Sequence, residues 1–178
     1  MGRSCIVTSS TLRITDSESS EGASHAAKCE LAAEVVRSFG TLRFRVTGCS
    51  MLPSVWPGDV LLAHRQDIAK VSAGDIVLFT REGRLIAHRV VSTTGDPENP
   101  CLITRGDAQL ALDSPVTAAE LLGKVVFILR AGKQLEPRTR LRFPARLTAD
   151  LVSRSGRLAR VLVRLHALWQ NLGEVKTP

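Results

Sequence analysis

The chain has 178 residues, enough for one domain with a sizeable core, and a hydrophobic fraction of 44% that excludes a wholly disordered polymer. Aromatic residues make up 4% and tyrosine is absent, so a proton acceptor working near neutral pH has to be His, Lys, Asp or Glu. The net charge of +7 is unevenly placed: eight arginines and a single acid, Asp150, lie between Arg138 and Gln170 and account for all of it.

The four cysteines, Cys5, Cys29, Cys49 and Cys101, contain no C-x-x-C pair. They read as free thiols of a reducing compartment, neither a disulfide framework nor a zinc site. No metal or other cofactor is expected. No stretch reaches the ~18 apolar residues that span a bilayer. The N-terminus lacks the apolar run of a secretory leader. The expected location is therefore cytoplasmic or peripheral to a membrane.

Residues 1–24 are rich in Ser, Thr and acids and read as a flexible segment. Residues 25–40 have helical spacing, with Ala27, Leu31, Val35 and Phe39 on one face and Gly40 as the cap. From Leu42 the pattern shortens. LRFRV alternates, with Leu42, Phe44 and Val46 on one side. DVLLA, DIVLF, RLIAHRVV, CLITR and GKVVFILRA follow, parted by Gly, Pro and Asp, which predicts a compact, mainly β domain over residues 41–135. Four Gly-Asp pairs, at 58–59, 74–75, 95–96 and 106–107, read as turns that open strands. Residues 138–172 read as a basic amphipathic helical segment. Leu151, Leu158, Leu162, Leu165, Trp169 and Leu172 form its apolar stripe, and Arg157, Arg160 and Arg164 a charged one. Such a helix suits an anionic membrane surface. No nucleic-acid motif accompanies the charge.

Three ordered stretches carry the chemistry. The first is TGCSMLPSVWPGDVLLAHR, residues 47–65. A serine hydroxyl is a weak nucleophile and needs a base in hydrogen-bond reach and donors for the oxyanion. Gly48 before Ser50 suits a turn that exposes both the hydroxyl and the amide. This stretch resembles the box around the catalytic serine of signal peptidases and LexA-like serine peptidases of the S24 type. The resemblance implies Ser50 as nucleophile, with Met51 and Pro53 beside it in substrate binding. The second stretch, GDIVLFTREGRLIAHRVV, residues 74–91, is similar to the block that carries the base. Many relatives have a lysine there. This chain has His88-Arg89-Val90, as in the archaeal and endoplasmic-reticulum type, which implies His88 as general base. Imidazole can take a serine proton near neutral pH without prior desolvation. LLAHR at 61–65 echoes LIAHR at 85–89, so His64 is the competing histidine, although the resemblance places no base there. The third stretch, LITRGDAQLALD, residues 102–113, resembles a Thr-Lys-Gly-Asp block with Arg105 for the lysine. Asp107 and Asp113 both match acidic positions. Asp113 is preferred as the acid that orients the imidazole, and Asp107 as support for the turn.

The resemblance covers residues 42–130 and implies a signal-peptidase/LexA-like β catalytic domain flanked by the N-terminal helix and the C-terminal basic helix. The implied activity is a serine endopeptidase that cleaves an extended leader or signal-like peptide through an acyl-enzyme. Two departures stand out. Cys49 and Gly48 occupy positions where many signal peptidases have Gly and Ser, so Cys49 is read as a small packing residue and the oxyanion falls to the Ser50 amide, helped by Thr47. The membrane anchor that usually precedes the serine box is not visible. The alternatives are a LexA-like regulator that cleaves itself, which needs a DNA-binding module, and a non-catalytic peptide-binding module on the same fold.

Overall fold

A computed structural model describes residues 15–139. Residues 1–14, Cys5 and almost all of the basic segment 138–172 lie outside the described residues. One helix, α1 (Thr15–Phe39), precedes a run of strands: β1 (Thr41–Arg45), β2 (Val60–His64), β3 (Ile76–Arg81), β4 (Arg84–Asp96), β5 (Asn99–Arg105), β6 (Leu121–Arg130) and β7 (Lys133–Leu135). The fold is mainly β, as the strand punctuation predicts. No described helix is long and apolar enough to cross a membrane.

The helix corrects two expectations. It starts at Thr15, ten residues before the expected start at 25. Its buried face is also displaced. Cys29, Ala32 and Val36 are buried, whereas Leu31 and Phe39 are 66% and 76% exposed. Ala32 and Val36, with Ala33, pack on Ala63, Leu78 and Leu122 of the sheet. Small side chains let the helix axis approach the strands, and the bulkier Leu31 and Phe39 are left outside. Burial pushes the Cys29 thiol pKa up, as for an inert packing thiol. Gly40, at φ +71°, ends the helix, and its N–H donates to the Val36 carbonyl at 2.9 Å.

The strands form one antiparallel sheet in the order β1-β2-β6-β3-β4-β5, with β7 added on β6. In β1, Leu42 and Phe44 are half-buried and Thr41, Arg43 and Arg45 exposed, the alternation expected of LRFRV. β3 is buried on both faces from Ile76 to Phe79. Val77 and Phe79 join Ile68, Val71, Val90, Leu102 and Val116 on one side. Ile76 joins Met51, Val55, Leu61, Val125 and Ile128 on the other. Two hairpins turn through paired positive φ values, Glu82-Gly83 (49° and 68°) between β3 and β4, and Ala131-Gly132 (46° and 72°) between β6 and β7. This geometry matches the right-handed strand twist. The second turn produces β7, a strand the sequence pattern does not announce, because alanine is a poor signal for that backbone. Gly123 has no room for a side chain: a Cβ there would strike the His64 carbonyl of β2.

The Gly-Asp turns gain a further role. Asp59, Asp75 and Asp107 each bind a cation from a strand: Arg130 at 2.7 Å, Lys124 at 2.9 Å and Arg89 at 2.8 Å. Asp59 is the most enclosed. Its carboxylate accepts from Nε and Nη2 of Arg130 and from the Trp56 N–H. Asp59→Ala strands the Arg130 guanidinium and should cost ~3–5 kcal/mol, since breaking a buried pair from one side leaves an uncompensated charge. A urea titration with an unchanged transition midpoint would contradict this.

Candidate active site

The loop after β1 carries Ser50 and is pinned at both ends. The Val46 N–H donates to the Asp59 carbonyl and the Gly58 N–H to the Val46 carbonyl, both at 2.8 Å. Met51 and Val55 anchor the middle in the core, and Leu52 packs on Ala108. Cys49 packs against this Leu52–Ala108 pair, along with Trp56, which suits the reading of it as a packing residue. The Ser50 carbonyl accepts from the Ala108 N–H at 2.8 Å, so the 106–108 turn supports the serine from behind.

β3 and β4 place the histidine. His88 stands opposite Val77 in the antiparallel register. It shares a strand face with Ile86 and Val90, which pack in one apolar cluster. Its ring meets Phe79 edge to face, with centroids 6.1 Å apart, and the residue is 5% exposed. Nε2 lies 3.0 Å from the Ser50 Oγ. Nδ1 lies 2.6 Å from Asp113 Oδ2. A carboxylate only accepts, so the proton of a neutral imidazole sits on Nδ1 and the Nε2 lone pair faces the serine hydroxyl. That arrangement can draw a proton from the hydroxyl and hold the resulting imidazolium beside a negative charge.

The two candidate acids separate. Asp113 meets His88. Asp107 meets Arg89, whose Nε and Nη2 each lie 2.8 Å from its two oxygens. His64 does not join the set: it is exposed at the end of β2, opposite Thr41 and Lys124. Met51 lines the groove at Ser50. Pro53 follows a cis peptide bond with Leu52 and is not among the residues lining that groove.

Three residues enter the site unannounced. The Arg89 guanidinium also donates to the Gly74 and Arg138 carbonyls at 2.7 and 2.6 Å, and to the Ser54 hydroxyl at 3.2 Å. Thr104 Oγ1 donates to Asp113 Oδ2 at 2.7 Å. Gly106 lies flat against the serine loop: a Cβ there would come within 2.6 Å of the Ser50 carbonyl oxygen. The position of Arg89 next to His88, of Thr104 two residues before the Gly106-Asp107 pair, and of Gly106 within it is the only trace of these roles in the sequence.

A groove of ≈270 Å³ opens at Ser50, bounded by Phe44, Val46 and Thr47 on one side and by Leu85, Ile86 and Ala87 on the other. Both walls have free strand edges among the described residues. β1 pairs only with β2. β4 pairs with β5 only from Arg89 onward, so its Arg84–His88 half is open on that side. A β-bulge at Val91 accompanies the switch, a common device beside functional sites.

A family model described as Peptidase S24-like matches residues 11–126. The chain belongs to the Peptidase S24-like family. The match takes in Ser50, His88 and Asp113 together and gives the chain the serine-peptidase, LexA-like fold. No curated protein matches the chain. For this S24-like chain, Gly106→Ala should displace the Ser50 carbonyl and slow labelling of Ser50 by a fluorophosphonate at least ~10-fold while the chain stays folded. Labelling at the wild-type rate would show that the close approach is unimportant.

Proposed function

We propose that this S24-like protein is a serine endopeptidase that cuts an extended leader or signal-like peptide laid across the groove. The observation that carries the reading is the continuous Ser50–His88–Asp113 hydrogen-bond chain, at 3.0 and 2.6 Å.

In this reading the Ser50 Oγ attacks the scissile carbonyl as His88 Nε2 takes its proton. The negative charge that develops on the carbonyl oxygen is received by the Ser50 backbone N–H, with Thr47, which lines the groove, as a second donor. The imidazolium is stabilised by Asp113 and returns the proton to the leaving amine. The acyl group stays on Ser50 until a water, deprotonated by His88, attacks the ester and releases the acid. The substrate backbone adds as a strand to the open edges of β1 and β4, so main-chain hydrogen bonds give affinity. Val46, Met51, Ile86 and Ala87 give the groove an apolar lining suited to small side chains before the cut bond.

Mass spectrometry after fluorophosphonate treatment is expected to find one adduct, on Ser50. A folded chain that takes no adduct would favour a peptide-binding module. Ser50→Ala and His88→Ala should each lower kcat/KM ~10⁴-fold, with His64→Ala within about twofold of wild type. The reverse ranking of the histidines overturns the assignment.

The two acids are distinguished by what each loses. Asp113→Asn removes the acceptor for Nδ1–H and should lower kcat ~10³- to 10⁴-fold at unchanged Tm. Asp107→Asn breaks the Arg89 pair and should lower Tm first. Asp113→Asn lowering Tm with kcat intact is the outcome that would reverse these roles.

A further inference from the structure

We infer that Thr104 is a positioning residue for the Ser50–His88–Asp113 set, holding the Asp113 oxygen that faces His88. The inference rests on the peptidase reading above. Thr104 lies on β5 opposite Val90, two residues beyond His88 on the neighbouring strand. It is wholly buried, at 0% exposure. Its hydroxyl lies 2.7 Å from Asp113 Oδ2, the same oxygen that lies 2.6 Å from His88 Nδ1. A carboxylate has no proton to give, so the hydroxyl donates, and the bond is strengthened by the charge. The Thr104 carbonyl accepts the Asp113 N–H at 2.9 Å. One rigid strand residue thus grips Asp113 by both main chain and side chain.

The grip matters because little else holds that aspartate. Asp113 ends a loop whose Leu110 and Leu112 are 68% and 55% exposed, and its own side chain is 21% exposed. Without the hydroxyl, the carboxylate can rotate toward water and Nδ1–H loses a fixed acceptor. The tautomer that leaves Nε2 free for Ser50 is then no longer enforced. Backbone and strand pairing around Thr104 do not depend on the hydroxyl, so the loss falls on the chemical step and not on peptide binding.

The test compares Thr104→Val, which keeps the shape and removes the donor, with Thr104→Ser, which keeps the donor. Peptide hydrolysis by Thr104→Val should show kcat reduced about 10- to 100-fold with KM within about twofold, and Thr104→Ser should recover most of kcat. Proton NMR should show a far-downfield Nδ1–H resonance in wild type and Thr104→Ser, lost in Thr104→Val. Unchanged kcat in Thr104→Val overturns the inference. So does a joint fall of Tm and kcat that Thr104→Ser fails to rescue, which marks a packing role. Should Thr104→Val not fold, Thr104→Cys, with a weaker donor, is read in the same way. Ser50→Ala in parallel separates the two levels: if it stays active, the peptidase reading itself fails; if it is inactive while Thr104→Val is not, only the role of Thr104 fails.

Discussion

The guanidinium of Arg89 is the tie on which the site's geometry depends. Its side chain is only 12% exposed, so its donors have to be satisfied from within the protein. They reach the Asp107 carboxylate, the Gly74 and Arg138 carbonyls and the Ser54 hydroxyl. Four separate stretches of chain are thereby gathered at one point, next in sequence to His88. Holding Asp107 holds the turn whose Ala108 N–H and bare Gly106 face rest on the Ser50 carbonyl. The residue after the histidine is thereby tied, through this turn, to the position of the serine.

The same device recurs without the same consequence. Asp59 and Asp75 close their turns by accepting local N–H groups, from Trp56 and Ser72, and then take Arg130 and Lys124 from β6. Each pair locks a loop to a strand at a defined register. Buried pairs of this sort contribute little net stability against well-packed apolar residues, but they penalise any arrangement that leaves one charge alone. In a sheet where a one-residue slip would exchange the two faces of β3, that penalty is a register constraint. It is consistent with this that every deeply buried side-chain polar atom among the described residues has a partner.

The groove follows from incomplete pairing. β4 is 13 residues long, yet β5 covers only the half beyond His88. β5 ends at Arg105, opposite Arg89, and so leaves the Arg84–His88 edge uncovered. Phe44 and Val46 of the first strand and its following loop come to the opposite wall, through packing shared with Ala87. An open edge is normally an aggregation risk. Here it borders the hydroxyl–imidazole–carboxylate chain, where the proposed peptide substrate would lie.

Much of this was legible in the sequence, and the remainder was not for definite physical reasons. The alternation of Leu42, Phe44 and Val46, the punctuated strands and the serine, histidine and acidic stretches are local patterns, and local patterns survive translation into structure. The face of α1 did not: 3.6-residue spacing fits two neighbouring stripes, and only the sheet's demand for close approach selects Cys29, Ala32 and Val36 over Leu31 and Phe39. Nor could the local pattern alone separate LIAHR from LLAHR; only the resemblance did, by placing no base at His64. Both histidines sit on strands after two aliphatic residues and an alanine, and strand pairing decides which one is carried to Ser50. Asp107 and Asp113 are the same residue type, six positions apart. Their partners, Arg89 and His88, are adjacent residues that point to opposite faces of β4. The sequence by itself determined which side chains were available for the chemistry and that they sat on short strands and turns. Which of them meet was decided by tertiary structure alone, because hydrogen bonds of 2.6–3.0 Å between residues 25 and 38 apart exist only once sheet register is set.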